Sequence, residues 1–294
     1  MTLLRTMLFV PGYRKKFLEN SIRLNSDALI LDLEDSVPFA FKNEARQNIR
    51  DFVSNASGKK QIFVRLNSLS SGLMTRDLDA VLCENVDGFM PSMIKDEQEL
   101  IYIDQLIADL EQESGFEKGK FKLCPLIETS TAVLRSYEIA KCSSRLTGLA
   151  FGGQDYLTDI NGLNTASGLN ILQARSTIVM AARAFGLEAI DTPYLKVHDT
   201  EGFRREVAVS RGHGFSGRLI LHPSQVEAAN AAFTPSEDEV NEAQEIIDAI
   251  EASGARGEGV ALLNGELIGP PMELRARKIM ANWNKIIRNE GHDN

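Results

Sequence analysis

The chain has 294 residues, 43% of them hydrophobic and 25% charged, and its net charge is −9. That is the composition of a globular enzyme, and an acidic balance without a basic stripe argues against a dedicated nucleic-acid binder. No apolar run approaches the ~20 residues that cross a bilayer, so no membrane span is expected.

The opening MTLLRTMLFVPG lacks a signal-peptide cleavage pattern and runs straight into a strand at TMLFV (6–10), followed by a helix over 15–24. ALILDL (28–33) precedes a helix over 41–55, QIFVRL (61–66) one over 75–83, and DGFM (87–90) one over 97–113. KLCPLI (122–127) precedes 131–140, LTGLAF (146–151) precedes 169–185, EAID (188–191) precedes 202–211, and RLIL (218–221) precedes 225–232. Alternation of this kind predicts an α/β fold with a parallel sheet. Eight such units predict a (β/α)8 TIM barrel over residues 1–233, with functional groups at the strand C-terminal ends. An open doubly wound sheet is the rival, disfavoured because no G-x-G-x-x-G follows the first strand.

Residues 234–294 form a C-terminal extension. A helix over 235–253 opens on the acidic turn SEDE, a hairpin over 259–268 turns at Asn264-Gly265, and a final helix covers 271–289. This helix–hairpin–helix is expected to act as a lid on the barrel. Cys83, Cys124 and Cys142 have no paired spacing and predict free thiols in a reducing, cytoplasmic compartment.

The stretch ALILDLEDSV (28–37) ends a core strand in three acids, Asp32, Glu34 and Asp35. Side chains alternate along a strand, so Asp32 and Glu34 share the face opposite Leu31 and Leu33. Carboxylates gathered at the mouth of a barrel repel one another and raise each other's pKa, which a divalent cation would relieve. Other strand ends supply matching groups: Glu128 in PLIET, Asp155 in the Gly-Gly turn of AFGGQDY, and Arg65 in FVRLN with Asn67 on the same side. Oxygen ligands without zinc spacing suit Mg2+ or Mn2+, and Arg65 would grip a substrate carboxylate through its planar fork. Each residue also has a plainer reading. Glu128 would complement a helix dipole, Asp155 would cap a turn, Arg65 and the acids of 32–35 would form ion pairs, and His222, His198 and His213 carry no chemistry.

Several stretches together resemble the citrate lyase β-subunit-like family, the CoA-ester lyases related to malyl-CoA and citramalyl-CoA lyases. They are RTMLFVPG (5–12), DALILDLEDSV (27–37), KNEAR (42–46), VRLN (64–67), PLIET (125–129), FGGQD (151–155) and GFSGRLILHPSQ (214–225), and they span nearly the whole chain. The resemblance implies a carbon–carbon lyase acting on a carboxylated β-hydroxyacyl-CoA thioester, giving a 2-oxo acid and acetyl-CoA or a homologue. It assigns Glu128 and Asp155 to Mg2+, Arg65 to the substrate's carboxyl end, and Glu34 and Asp35 to the cation through water, with Asp32 counted among the outer supports of the site. It gives Arg14 and Lys16 of PGYRKKF to the CoA phosphates, where a solvated helix start is the plainer reading. It also implies a homotrimer or hexamer in which the C-terminal segment covers a neighbour's site.

One stretch departs from that pattern. Many relatives carry an aspartate in a tail motif like G-[KR]-M-[IV]-D-x-P, whereas here NGELIGPP puts Gly269 at that place. Either another acid, such as Glu266 or Glu273, serves instead, or the substrate differs. Two alternatives accompany the lyase reading: a metal-dependent class II aldolase acting on free 2-oxo acids, and a subunit active only with an acyl-carrier partner.

Overall fold

The apolar runs form parallel strands and the segments between them form helices, in a computed structural model that describes residues 3–56, 60–165 and 168–291. The chain divides into two units, one running from Leu4 to Asn230 and the other from Ala231 onward together with Leu3. In the first unit β1 (Thr6–Pro11), α1 (Lys15–Ser21), β2 (Ala28–Asp32), α2 (Lys42–Asn55), β3 (Gln61–Leu66), α3 (Met74–Val81), β4 (Gly88–Pro91) and α4 (Glu97–Glu113) follow one another. Then come β5 (Lys122–Leu123), β6 (Leu126–Ile127), α5 (Ser130–Leu134), α6 (Ser136–Lys141), β7 (Gly148–Phe151) and α7 (Gly153–Asp159). The series continues with α8 (Leu169–Ala184), β8 (Glu188–Asp191), α9 (Thr200–Gly212) and β9 (Gly217–Ile220), and α10 (Val226–Phe233) contains the boundary between the units.

The nine strands form one parallel sheet in the order β5-β4-β3-β2-β1-β9-β8-β7-β6. Its two end strands are consecutive in the chain, divided only by Cys124 and Pro125. Proline has no N–H, which interrupts the ladder at that point. The segment is nonetheless bonded on both sides. Cys124 N–H donates to Phe89 O at 3.0 Å, while Thr147 N–H donates to Leu123 O at 2.9 Å and Ala150 N–H to Pro125 O at 3.0 Å. The sheet therefore curls until its edges meet in residues 122–127. The strand expected over 122–127 is thus two short strands, and the helix expected over 131–140 is likewise divided, at Arg135. Helix α7 was not expected, because its Gly152-Gly153 start reads as a loop; the Gly153 N–H donates to Thr192 Oγ1 at 3.0 Å and anchors it.

Strand periodicity fixes what faces inward. Met7, Ala28, Ile30, Phe63, Met90, Cys124, Leu126, Ala150, Ile190 and Leu219 make one buried cluster inside the curl. The alternate residues, such as Leu8, Leu29, Leu31, Val64, Phe89 and Ile220, are also buried. Both faces are thus covered, which is why these strands read as unbroken apolar runs. The helices bury one stripe each: Ala45, Ile49 and Val53 on α2, and Leu100, Ile103 and Ile107 on α4, whose N-cap Asp96 accepts from the N–H groups of Gln98 and Glu99. The three cysteines are free, and burial pushes the Cys124 thiol up to about 12. Among the described residues no helix is long and apolar enough to cross a membrane.

In the second unit α11 (Glu237–Ala255) packs on α12 (Pro270–Gly291) through Ala243, Ile247 and Ala276. Ser236 and Glu239 form a capping box at the start of α11. The hairpin is β10 (Ala261–Leu263) with β11 (Glu266–Ile268), and its turn residues Asn264 and Gly265 have φ of 50° and 85°, as a type I′ turn needs.

Candidate active site

Counting two residues onward from the inward cluster of the first unit reaches the rim at the strand C-terminal ends. The inward phase there holds Phe9, Asp32, Arg65, Ser92, Glu128, Gly152 and Leu221. Except for Ser92, these side chains and backbones line a cavity of about 420 Å3, joined by Asp35, Ser36, Asp155 and the apolar Pro193, Leu195 and Leu219. Glu128 and Asp155, remote in sequence, thus open into one space.

Asp32 and Arg65 are register partners on β2 and β3. Arg65 donates from Nε to Asp32 Oδ1 at 2.6 Å and from Nη2 to Asp32 Oδ2 at 2.7 Å. Its Nη1 lies 2.9 Å from Glu34 Oε2 and 3.7 Å from Asp35 Oδ2, and the guanidinium carbon sits 4.8 Å from the Phe9 ring centroid. The Nε–Nη2 fork is therefore already engaged by one carboxylate and Nη1 by a second, so a ligand would have to use the remaining N–H positions of Nη1 and Nη2. Burial raises the Asp32 carboxyl, but the Arg65 charge, with hydrogen bonds from Arg65, Ser36 and the Glu34 N–H, outweighs it and holds the group below its ordinary value.

Glu34 is less fully compensated. Burial pushes its carboxyl up to about 7, against the pull of Arg65 and with further push from Asp35 and Asp32. The hydroxyl of Ser92, just past β4, favours the ionised form of the same carboxyl and donates to Leu66 O at 3.0 Å. The turn carrying Glu34 and Asp35 is pinned from behind by Lys42. Its Nζ donates to Leu33 O at 2.6 Å, Glu34 O at 2.8 Å and Asn67 Oδ1 at 2.7 Å. Asn67 faces this network and not the cavity: its amide nitrogen donates to Leu33 O and to Asp77, which also pairs with Arg46.

Glu128 is 3% exposed. Its Oε1 accepts from the Met93 backbone N–H at 2.5 Å. Burial pushes its carboxyl up to about 8; the Met93 hydrogen bond opposes this, while the Glu34 and Asp155 charges add to it. Gly152 explains the close approach of the neighbouring strand, because a Cβ there would stand 2.6 Å from Glu128 Cβ. Asp155 is solvent-exposed on α7 at the cavity mouth, and its carboxyl is raised by partial burial and by Asp35.

These groups fit a hard dication. The facing donors are oxygens, several carboxyls are pushed toward protonation by burial and by one another, and glycine backbone leaves room beside them. Among the described residues no cluster of three or more His, Cys, Asp and Glu is arranged to hold an ion alone. Two carboxylates with the remaining positions left to water and substrate oxygens is the coordination Mg2+ tolerates.

Arg14 and Lys16 do not line the cavity. Both are exposed at the start of α1, on the loop that leaves β1 at the same end of the sheet, and the Arg14 guanidinium carbon lies 4.5 Å from the Tyr13 ring centroid. His222 is exposed and caps the turn after β9. Contributors that the sequence did not single out include Phe9, Ser36, Lys42, Ser92 and Met93. Lys42 did leave a signal, since a cation at the first position of a helix opposes the helix dipole and calls for a compensating partner.

A curled parallel sheet with acids and a guanidinium on its C-terminal rim is the layout of an α/β-barrel-type enzyme site. The profile of the HpcH/HpaI aldolase/citrate lyase family matches residues 5–223, and the chain belongs to that family. It is 33% identical over 291 residues to the citrate lyase subunit beta of Leuconostoc mesenteroides subsp. cremoris, covering 98% of this chain and 96% of that one. It is 31% identical to the mitochondrial citramalyl-CoA lyase of Homo sapiens, covering 93% of this chain and 83% of the other. The crystal structure of CitE from Mycobacterium tuberculosis in complex with magnesium, acetoacetate and coenzyme A superposes with a TM-score of 0.79. It is 25% identical and covers 95% of this chain and 97% of that one.

Proposed function

We propose that the chain is a Mg2+-dependent carbon–carbon lyase that cleaves a carboxylated β-hydroxyacyl-CoA thioester of the citryl, citramalyl or malyl type. The observation that carries the reading is that Glu128, Asp155 and Arg65 open into one cavity at the rim of the curled sheet. We read that sheet as a (β/α)8 barrel closed through residues 122–127, with residues 234–294 as a lid and assembly segment. The exposed cross-strand pair Leu262–Leu267 on its hairpin supports a surface covered in a homotrimer or hexamer.

In this reading Glu128 and Asp155 hold the cation, and Asp35 and Glu34 act on it through water. When bound, Mg2+ supplies Lewis acidity and a template for substrate oxygens. Arg65, its planar guanidinium oriented by Asp32, offers its remaining Nη N–H groups to the substrate carboxylate. Gly152 and Gly153 let the substrate approach the backbone, and Phe9, Pro193, Leu195, Leu219 and Leu221 form a wall that limits water. Arg14 and Lys16 meet the CoA phosphates at the same end of the sheet. The β-hydroxyl loses its proton, the Cα–Cβ bond breaks to leave a 2-oxo acid, and the released enolate of the acyl-CoA takes up a proton.

The test is a screen of citryl-, citramalyl- and malyl-CoA with and without EDTA, reading 2-oxo acid release. Turnover that survives EDTA, or free 2-oxo acid aldols outpacing every thioester, overturns the reading. The near full-length similarity to a citrate lyase β subunit favours one second reading, a subunit that acts on a carrier-bound acyl group. Activity of the purified chain on CoA thioesters without a carrier separates the two.

A further inference from the structure

Among the described residues three non-glycine residues have φ in the left-handed region: Met93 at 53°, Asn161 at 54° and Asn264 at 50°. Asparagine tolerates this region because its short amide bonds locally, and the turn at Asn264 requires it. A methionine gains no such bond, and its Cβ is pressed toward the following carbonyl oxygen. Packing does not explain the conformation either, since Met93 is 39% exposed.

What the conformation accomplishes is to turn the Met93 N–H inward at the end of β4, where it donates to Glu128 Oε1 at 2.5 Å. On the far side, Oε2 of the same carboxylate lies against the space left by Gly152. Glu128 is a long side chain on a buried rim position, and the amide removes its freedom to rotate. Backbone strain persists where the surrounding structure has a use for it.

We propose that Met93 is a positioning residue whose left-handed backbone aims one amide at Glu128 Oε1 and so presents Oε2 to a divalent cation. The inference rests on the reading of Glu128 as a cation ligand. It predicts that the backbone at position 93, and not the methionine side chain, governs cation affinity.

The experiment is calorimetric titration of the metal-stripped full chain with Mg2+ in the absence of substrate, for the parent, Met93→Gly, Met93→Ala, Met93→Ile and Glu128→Gln, with folding checked by circular dichroism and Tm. Glycine adopts the left-handed region freely, so Met93→Gly should bind within about threefold of the parent, whereas β-branched Met93→Ile should bind roughly 10–100-fold more weakly, the range typical of losing a group that orients a metal ligand. If Met93→Ile does not fold, Met93→Val, likewise β-branched, is titrated in its place, while Met93→Ala keeps the parent's backbone preference without its side chain and should bind within about threefold of the parent. A weak β-branched variant beside an Ala variant that binds like the parent supports the proposal, and a β-branched variant with the parent's affinity, or an Ala variant as weak as the β-branched one, overturns it. A role confined to stability would move Tm and leave Mg2+ affinity unchanged, which also overturns it. If Glu128→Gln binds Mg2+ like the parent, the ligand reading itself fails; if that variant loses binding while Met93→Ile keeps it, only the positioning role fails.

Discussion

Asp32 and Arg65 lie side by side in register on neighbouring strands and meet through two parallel hydrogen bonds of 2.6 and 2.7 Å. Their side chains are 1% and 11% exposed, so the pair is a buried fork with an ionised acid at its base. Removing one partner of such a pair strands the other charge, at a cost of about 3–5 kcal/mol. Asp32→Asn is expected to lose stability of that order in urea unfolding and to lower kcat/KM through a displaced Arg65. Arg65→Lys cannot keep the fork to Asp32 and also present an outer edge, so kcat/KM should fall by about 100-fold or more. Full activity in Arg65→Lys would remove this residue from the substrate site.

Burial raises the Glu128 carboxyl with further push from Glu34 and Asp155, and partial burial with Asp35 raises that of Asp155, so without a cation their ionised forms are unfavourable to stability. Glu128→Gln and Asp155→Asn are therefore expected to keep the fold, with a Tm in EDTA equal to or above the parent's. The parent should gain stability on adding Mg2+, about 2.7 kcal/mol at 100 times Kd, and the two variants should gain none. Thermal melts with and without Mg2+ check this; a variant stabilised like the parent sinks the ligand assignment.

Lys42 donates to two backbone carbonyls of the turn after β2 and to Asn67. Burial lowers its pKa, though the surrounding acids favour its charge. Lys42→Met would leave Asn67 Oδ1 without that donor, at about 1–3 kcal/mol for an unsatisfied buried group, while Leu33 O keeps the Asn67 amide and Glu34 O the Val37 N–H. The released turn should also let Glu34 and Asp35 drift, weakening Mg2+ activation of turnover by roughly tenfold, as expected when outer partners of a metal site are lost. Loss of stability with unchanged Mg2+ activation would confine Lys42 to the scaffold.

Much of this arrangement is legible in the sequence, and what is not has definite physical causes. Strands buried on both faces write themselves as apolar runs, so ALILD and QIFVRL could be placed almost to the residue. Alternation then predicts that Asp32, Arg65 and Glu128 point inward at the rim. It does not say which inward groups become neighbours, since that depends on register between strands. That is why Arg65 was expected to offer its whole fork to substrate, when Asp32 holds its inner edge. Asn67 continues the phase of Arg65 but lies past the strand end, where the chain turns it toward Lys42 and Asp77. The left-handed Met93 left no trace, because residue type signals that conformation only for glycine, asparagine and aspartate.

Glu111 falls in the apolar phase of α4, is 1% exposed, and meets Arg145 at 2.6 Å. Burial raises its carboxyl, but hydrogen bonds from Arg145 and from the Gly119 and Phe121 N–H groups outweigh this and hold it below the ordinary value of 4.5. A depressed acid binds fewer protons folded than unfolded. Its stabilising contribution is thus complete above 4.5 and is lost as pH falls through the folded-state value. Urea unfolding should show the parent losing stability as pH falls below 4.5, with Glu111→Gln less stable at neutral pH and shallower over the same acid range. Parallel pH profiles for the two proteins would refute the linkage.

Gly269 stands where the tail motif of many resembling lyases carries an aspartate, and its surroundings do not forbid one. A Cβ there would lie 3.5 Å from Val260 Cγ1, ordinary van der Waals contact, and Gly269 is not among the glycines with positive φ. Gly269→Asp should therefore fold with a Tm within a few degrees of the parent, since surface changes usually stay within about 0.5 kcal/mol. If the tail acid of relatives handles a proton at the enolate carbon or activates water, the variant should alter turnover in a specific way. Thioester hydrolysis should appear beside cleavage, or kcat should rise by at least about tenfold, within the range a positioned acid or base supplies. Assays that follow free thiol and 2-oxo acid separately distinguish the two outcomes, because hydrolysis of the acyl-CoA releases thiol and cleavage alone does not. A well-folded Gly269→Asp with the parent's rates for both products would show that this chain runs its chemistry without an acid at that place.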